Sequence, residues 1–265
     1  MADAASGADQ ALGPDTSWRP LYRAGAVAAG LAVVAYVAAL VLYVSTPAPP
    51  TTGSAAMLEH VHAHRAVYAL KQVLWVAPNL LMMVVTLALV VALRRLNKSF
   101  ALIAGTIAIA SWAVSFAWPT TGEGSLAMVV LSDGYAEATT ATERARFVAG
   151  AELLLALNDL PAVILGVLQT VGILLIALLM RRGVFARGLA GLGVATGTIG
   201  VVAEALRPWL GWAYAAYGAL LFVWLAWIAV ALWQLGATAE PERVRPHLWE
   251  RHKAGYLEVS ADPHT

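Results

Sequence analysis

The chain contains no cysteine. This absence excludes disulfide bonds, zinc sites built on thiolates and cysteine nucleophiles. Charged residues are also scarce, at 12% of the 265 residues, whereas hydrophobic residues make up 60%. A soluble domain of this length needs more charged side chains to cover its surface. The composition therefore favours a protein that lies in a lipid bilayer.

Neither sign of charge dominates, since the formal net charge is +1. The Lys and Arg residues lie in short runs between apolar blocks and form no single basic face, so nucleic acid is not expected as a partner. The spacing of Gly191, Gly193 and Gly197 resembles part of a dinucleotide-binding loop, but no strand precedes it. No cofactor is therefore predicted.

Six apolar blocks are long enough to cross a bilayer, which requires about 20 helical residues. An isolated strand cannot satisfy its backbone hydrogen bonds in hydrocarbon, so the blocks are predicted to be helices. We therefore predict an all-α polytopic membrane protein, a bundle of six transmembrane helices. The predicted spans are 24–45, 68–93, 99–118, 157–180, 184–206 and 209–235.

Positive charge is distributed unevenly between the two sides of this bundle. Twelve of the 17 Lys and Arg residues lie on the side of the two termini. Cytoplasmic loops carry such an excess, so both termini are predicted to be cytoplasmic, in a bacterial plasma membrane. Residues 21–236 are predicted to form the transmembrane domain, with a disordered tail at 1–20 and a C-terminal cytoplasmic tail at 237–265.

The stretch GAELLLALNDLPAVILGVLQ (150–169) carries polar side chains inside an apolar block. Asn158 or Asp159 could cap a helix that begins there, with Pro161 in its first turn. Alternatively, one helix continues from the external segment through a kink at Pro161. A polar face with Glu152, Asp159 and Gln169 would then descend into the bundle. In that case Asp159 is a partly desolvated carboxylate, as found at functional sites in membranes.

The second predicted span could supply a cation for such a site. Lys71, Trp75 and Asn79 lie near one face by helical spacing. Lys71 could pair with Asp159 or Glu152, or it could extend towards lipid head groups. The predicted ligand-binding residues are Lys71, Trp75, Asn79, Asn158, Asp159 and Gln169.

The string EHVHAHR (59–65) is the most metal-like part of the sequence. On a helix, His60 and His64 share a face and His62 points away, whereas on an extended segment all three could converge on one metal ion. The spacing alone does not predict a metal. We interpret the histidines as a solvated cluster at the membrane interface that becomes charged near pH 6.5.

Glycines recur at helical spacing in the fifth predicted span, at Gly193, Gly197 and Gly200. Small residues let membrane helices approach closely, so this face is predicted to pack against another helix. The face ends at Glu204, which is expected to form an ion pair with Arg207 near the external surface.

The ionisable residues of the predicted spans gather near the external side, above an apolar floor. This pattern favours an outward-facing pocket for a lipophilic or amphipathic small molecule over an ion channel. An alternative is an intramembrane cyclase or isomerase that acts on an isoprenoid-like or lipid substrate, with Glu152 and Asp159 as acid and base. A second alternative is a structural or regulatory subunit whose glycine face binds a partner helix or another copy of the chain. Membrane lipid is a partner in every case.

Two stretches, VALRRLNKSFALIAG and LLIALLMRRGVFARGLAGLGVATGTIGVVAEAL, resemble bacterial integral membrane proteins of an uncharacterised family, a domain of unknown function. The motif is an aromatic and basic turn followed by a helix rich in Gly and Leu, here Phe185, Arg187, Gly188, Gly191 and Gly193. The resemblance implies a six-helix bundle of about this length over residues 20–235. It implies no catalytic residues.

Overall fold

The computed structural model describes residues 15–50, 52–118, 121, 123–207, 209 and 211–237. The side chains at 16, 158–160, 211 and 212 are not described. Helices account for nearly all of the described residues. A short 3₁₀ helix, Thr16–Trp18, comes first. The α-helices are α1 (Arg19–Ser45), α2 (Ser54–Ala63), α3 (Arg65–Leu93), α4 (Lys98–Ala117), α5 (Ala127–Glu137), α6 (Ala141–Met180), α7 (Arg187–Ala205) and α8 (Gly211–Ala237).

Six of these helices, α1, α3, α4, α6, α7 and α8, are long and apolar enough to cross a membrane. The predicted all-α polytopic bundle is thereby confirmed. Five of the six spans begin and end within a few residues of their predicted limits. Hydrophobic length alone predicted the limits of these five spans, because the thickness of a bilayer fixes how many apolar residues a helix needs to cross it.

The sixth span, α6, begins much earlier than expected. It is one continuous helix of 40 residues, with Pro161 in its interior. Thr140 and Glu143 form a capping box at its start: the Glu143 amide donates to the Thr140 hydroxyl at 3.2 Å, and the Thr140 amide donates to the Glu143 carboxylate at 3.1 Å. The predicted helix start with Asn158 or Asp159 as its N-terminal capping residue is therefore wrong, and the prediction of one continuous helix is correct. Only about 20 residues are needed to span the bilayer, so its N-terminal half extends beyond it.

The six spans form a closed ring. Each packs against the spans that precede and follow it in the sequence, and α8 packs against α1. The interior is filled by one apolar cluster that includes Tyr22, Leu89, Trp112, Trp224 and Leu225. The bundle is thus a packed core without a wide central channel among the described residues.

Glycine allows neighbouring spans to approach closely. A methyl group at position 197 would lie 2.7 Å from the backbone nitrogen and Cα of Leu174 on α6. Because backbone atoms cannot swing aside as side chains can, this position requires glycine. Glycines lie against the neighbouring span at each of the other contacts in the ring, namely Gly25 with α3, Gly105 with α3, Gly172 with α4, Gly193 and Gly200 with α8, and Gly236 with α1.

Beyond one end of the ring, a second apolar cluster joins short helices to the long one. We call this part the cap; it comprises α2, α5 and the N-terminal half of α6. Met57 and Leu58 of α2 are buried with Met128 of α5 and Ala151 of α6, and Tyr68 of α3 joins them from the bundle. The cap therefore has its own small core, continuous with the start of α3.

At the opposite end of the ring, Asp15 connects the start of α1 to the end of α3. Its carboxylate lies 3.0 Å from the Arg94 guanidinium and 3.3 Å from that of Arg95. The 3₁₀ helix Thr16–Trp18 lies within the N-terminal tail that was predicted at 1–20. Most of the two predicted tails, residues 1–14 and 238–265, lies outside the described part.

The glycine contact predicts a specific loss of stability. Gly197→Ala should lower the free energy of unfolding by about 1–3 kcal/mol, because α6 and α7 must separate to admit the methyl group. The matched control is Gly191→Ala on the same helix, where nothing lies within 4 Å of the added methyl group. Thermal unfolding of both variants in one detergent measures the difference, and equal stability of the two would contradict the close packing.

Candidate functional site

A deeply buried cation lies at the boundary between bundle and cap. The Lys71 amine on α3 lies 2.8 Å from one carboxylate oxygen of Glu123 and donates to the other at 3.2 Å. The side chains are only 5% and 14% exposed. An opposite charge at this distance compensates for much of the cost of removing the amine from water. Lys71 thus pairs with Glu123, a partner that was not predicted, and among the described residues it forms no ion pair with Glu152.

Glu123 belongs to a tight turn, residues 121 and 123–125, that we call the anchored turn. Thr121 and Gly124 exchange backbone hydrogen bonds of 2.9 and 3.0 Å across it. Gly124 has φ of +106°, which side chains disfavour. The turn packs between α3, α5 and α6, since a methyl group at Gly124 would meet Tyr68, Met128 and Leu155.

Three residues of α3, at spacings of three and four, hold the anchored turn. The Tyr68 hydroxyl donates to the Glu123 carbonyl at 2.7 Å. The Thr121 hydroxyl donates to the Gln72 side-chain oxygen at 2.9 Å. Lys71 adds its ion pair with Glu123. Residues at these spacings share one helix face, so a single face of α3 fixes the turn over the end of the bundle.

A small cavity lies beside this ion pair. Its volume is about 140 Å³, and it is lined by the end of α1 (45–47), by His60 and His64 of α2 and the turn that follows, and by the start of α3. The α3 residues are Val67, Tyr68 and Lys71. The wall is therefore mostly apolar or aromatic, with basic groups on one part of it. Such walls bind small organic groups and orient them through a few polar contacts.

The two histidines of the cavity stack on each other, with ring centroids 4.5 Å apart. Burial lowers the pKa of the His60 imidazole, and the neighbouring His64 and Lys71 lower it further, while Glu123 opposes them. His62 points elsewhere, and its ring lies 3.4 Å from Asp133 on α5. The helical alternative for this string is thus confirmed. Among the described residues, no group of His, Asp and Glu is arranged to hold a metal ion.

The other predicted ligand-binding residues do not line this cavity. Trp75 packs on the Tyr36 ring, with centroids 5.6 Å apart, deeper in the bundle. Asn79 is buried in α3. The Gln169 amide donates to the Ser115 hydroxyl at 2.7 Å and thereby joins α6 to α4.

The remaining predicted acidic groups fall into two cases. Glu152 is exposed on α6. The side chains of Asn158 and Asp159 lie outside the described part, so the roles predicted for them stay predictions. The structure thus brings Lys71 together with His60 and His64, and it brings none of the other described candidates to them.

A second polar group is buried between α6, α7 and α8. Glu204 is 3% exposed, and its carboxylate lies 3.0 Å from the Arg207 guanidinium, as the sequence predicted. The carboxylate packs on Gly166, where a methyl group would collide with it. Arg207 also lies over the Tyr214 ring, 4.5 Å from its centroid. The pair, on α7 and the turn after it, thus contacts α6 through Gly166 and α8 through Tyr214.

Sequence reasoning overlooked Glu123, Tyr68 and Gln72. Glu123 is in a stretch rich in Gly and Thr that reads as an ordinary loop, and nothing local marks the helix to which the loop returns. A signal was present on α3, since Tyr68, Lys71 and Gln72 place three hydrogen-bonding side chains on one face at the start of a membrane span.

Removing one partner of the buried pair should destabilise the cap. Glu123→Gln leaves the Lys71 charge without its counter-ion and should cost about 1–3 kcal/mol of stability. Lys71→Met combined with Glu123→Gln should recover most of it, because no buried charge is left. Hydrogen exchange of the anchored turn and thermal unfolding measure both effects. Glu137→Gln, an exposed change of the same kind on α5, is the control, and an equal effect there would refute the assignment.

Comparisons with protein-family models, curated proteins and solved structures found no match for this chain. The resemblance to an uncharacterised family of bacterial membrane proteins therefore stays a prediction.

Proposed function

We propose that this protein is a multi-pass protein of the bacterial plasma membrane that binds a lipophilic or amphipathic small molecule in a pocket on its outer face. The pocket is the cavity between α1, α2 and α3. The observation that carries the proposal is the lining of this cavity, which combines an apolar wall with His60, His64 and Lys71 at the end of the membrane-spanning ring.

The size of the cavity limits what it can hold. A volume of about 140 Å³ accommodates a group of roughly the size of a benzene ring. Pockets that enclose a whole drug-sized ligand are larger, about 300–1,000 Å³. The ligand is therefore expected to insert one end and to leave the rest outside the cavity.

The surface of α1 next to the cavity suits the remainder of an amphipathic ligand. Tyr43 and Val44 precede the lining residues at 45–47 and are 55% and 74% exposed. Apolar side chains at this position face lipid in a membrane-spanning helix. A ligand tail on this surface stays in the bilayer while its head occupies the cavity.

The orientation rests on charge. The turns opposite the cap carry Arg94, Arg95, Arg181 and Arg182, and the positive-inside rule places such turns in the cytoplasm. Both termini are then cytoplasmic, and the cap and its cavity face outward.

The alternatives have less support in the contacts. The enzyme hypothesis needs Glu152 beside a substrate, but Glu152 is exposed on the cap and does not line the cavity. The subunit hypothesis needs a free glycine face, but Gly193, Gly197 and Gly200 face α6 and α8 of the same chain. A homo-oligomer or a partner helix would have to use another surface.

Filling the cavity should abolish ligand retention. Val67→Trp places an indole in the cavity, and the amount of lipid-like molecule that co-purifies in mild detergent should fall at least about tenfold, the effect of losing about 1.4 kcal/mol of binding. Val73→Trp is the control, because Val73 lies on the same helix but is exposed away from the cavity. Mass spectrometry of the extracted molecules measures both, and equal amounts in the two variants would rule out this pocket.

The absence of cysteine makes the orientation directly testable. Thr52→Cys, exposed before α2, should react with a membrane-impermeant maleimide on intact cells. Val184→Cys, exposed in the turn between α6 and α7, should react only after the cells are permeabilised. The reverse pattern would place the cap in the cytoplasm.

A further inference from the structure

The cavity holds two stacked imidazoles whose charge can change. The His64 Nδ1 atom lies 3.0 Å from the His60 carbonyl oxygen. A carbonyl only accepts hydrogen bonds, so Nδ1 carries the proton, and Nε2 is the nitrogen available to another partner. Neutral His64 offers an acceptor there, and protonated His64 offers a donor.

Permanent charge at the cavity is close to balanced. Lys71 contributes a cation, and the Glu123 carboxylate binds it with both oxygens. Glu59 of α2 faces the Tyr135 hydroxyl of α5 at 3.4 Å, and Asp133 faces His62 and Arg65. The end of α1 at 45–47 carries no ionisable side chain, and α3 adds only the Tyr68 phenol. The histidines therefore decide the net charge.

The protein's own groups favour the neutral form of His60. Burial, His64 and Lys71 all lower the pKa of its imidazole, and Glu123 opposes them only in part. Two imidazolium rings at 4.5 Å would also repel each other. An anion in the cavity reverses this balance, because it attracts Lys71 and both imidazolium ions at once, and charge-assisted hydrogen bonds are stronger than neutral ones.

We propose that the cavity takes the anionic head group of an amphiphile, with His60 and His64 as its partners, and that proton uptake accompanies binding. This inference rests on the proposed function and specifies its ligand class. The tail follows the exposed apolar surface of α1 beside Tyr43 and Val44. A cationic head is disfavoured, because it would meet Lys71 and two basic rings.

The test uses three amphiphiles with the same ten-carbon chain: decanesulfonate, decanol and decyltrimethylammonium. The sulfonate keeps its charge across the pH range of the experiment, so any pH dependence reports on the protein. Methanesulfonate tests whether the anion alone suffices. The full-length protein in lipid nanodiscs is titrated with each probe, and ¹⁵N-labelled histidine spectra follow the protonation of the rings.

Two histidine variants separate specific binding from partitioning into the bilayer. His60→Gln combined with His64→Gln removes the proposed partners. His62→Gln is the matched control, since His62 is on the same helix but faces Asp133. Decanesulfonate should bind the double variant about tenfold more weakly than it binds the wild type or the control, as expected for a lost charge-assisted hydrogen bond. Its affinity for the wild type should rise from pH 8 to pH 6, by about tenfold for each pH unit over which binding takes up one proton.

The other outcomes distinguish failure of this inference from failure of the proposed function. If decanol or decyltrimethylammonium loses as much affinity in the double variant as decanesulfonate does, the pocket binds amphiphiles but the anionic head is wrong. Equal affinity for methanesulfonate and decanesulfonate would indicate a free anion and overturn the amphiphile. Binding without a pH dependence would overturn the proton uptake. If every probe binds the double variant and the control with equal affinity, both the inference and the pocket are refuted.

Discussion

Close approach of helix backbones is the constraint on which this architecture depends. Lipid tails are as apolar as leucine, so burial of apolar side chains gives little drive for helices to associate within a bilayer. Packing and the few polar contacts must supply it. Gly197 against Leu174 is the clearest case, and each contact around the ring has a glycine against the neighbouring span. The ring in turn fixes the ends of α1 and α3, between which the cavity lies.

The ion pair of Lys71 and Glu123 connects this apolar ring to the cap. It lies at one end of the ring of membrane-spanning helices, and a buried lysine at the end of such a helix needs either a head group or a carboxylate as its partner. Here the chain provides the carboxylate from a turn that α3 itself holds. The consequence is a turn, inside the cap, that one face of α3 ties to the bundle, with the cavity next to that face.

Sequence reasoning predicted what depends on local composition. Hydrophobic length located five spans closely, and helical spacing placed His60 with His64 and Glu204 with Arg207. It failed at α6, where apolar length set the start at 157, while the capping box at Thr140 and Glu143 begins the helix well before the bilayer. It also missed Glu123, because that contact spans 52 positions and depends on how the loop returns to α3. Contacts of this kind depend on the path of the chain between helices, which the spacing of residues along a helix does not predict.

The contact between the first and last spans has a consequence for biogenesis. Arg23 of α1 donates to the Gly236 carbonyl of α8 at 3.2 Å, so the ring closes only when α8 is in place. As the ribosome delivers one helix after another, α1 must wait in the bilayer with that side bare until α8 has been inserted. A nascent chain interrupted before α8 would leave an open arc, with the guanidinium of Arg23 lacking its acceptor. Insertion of α8 is thus the event that seals the bundle.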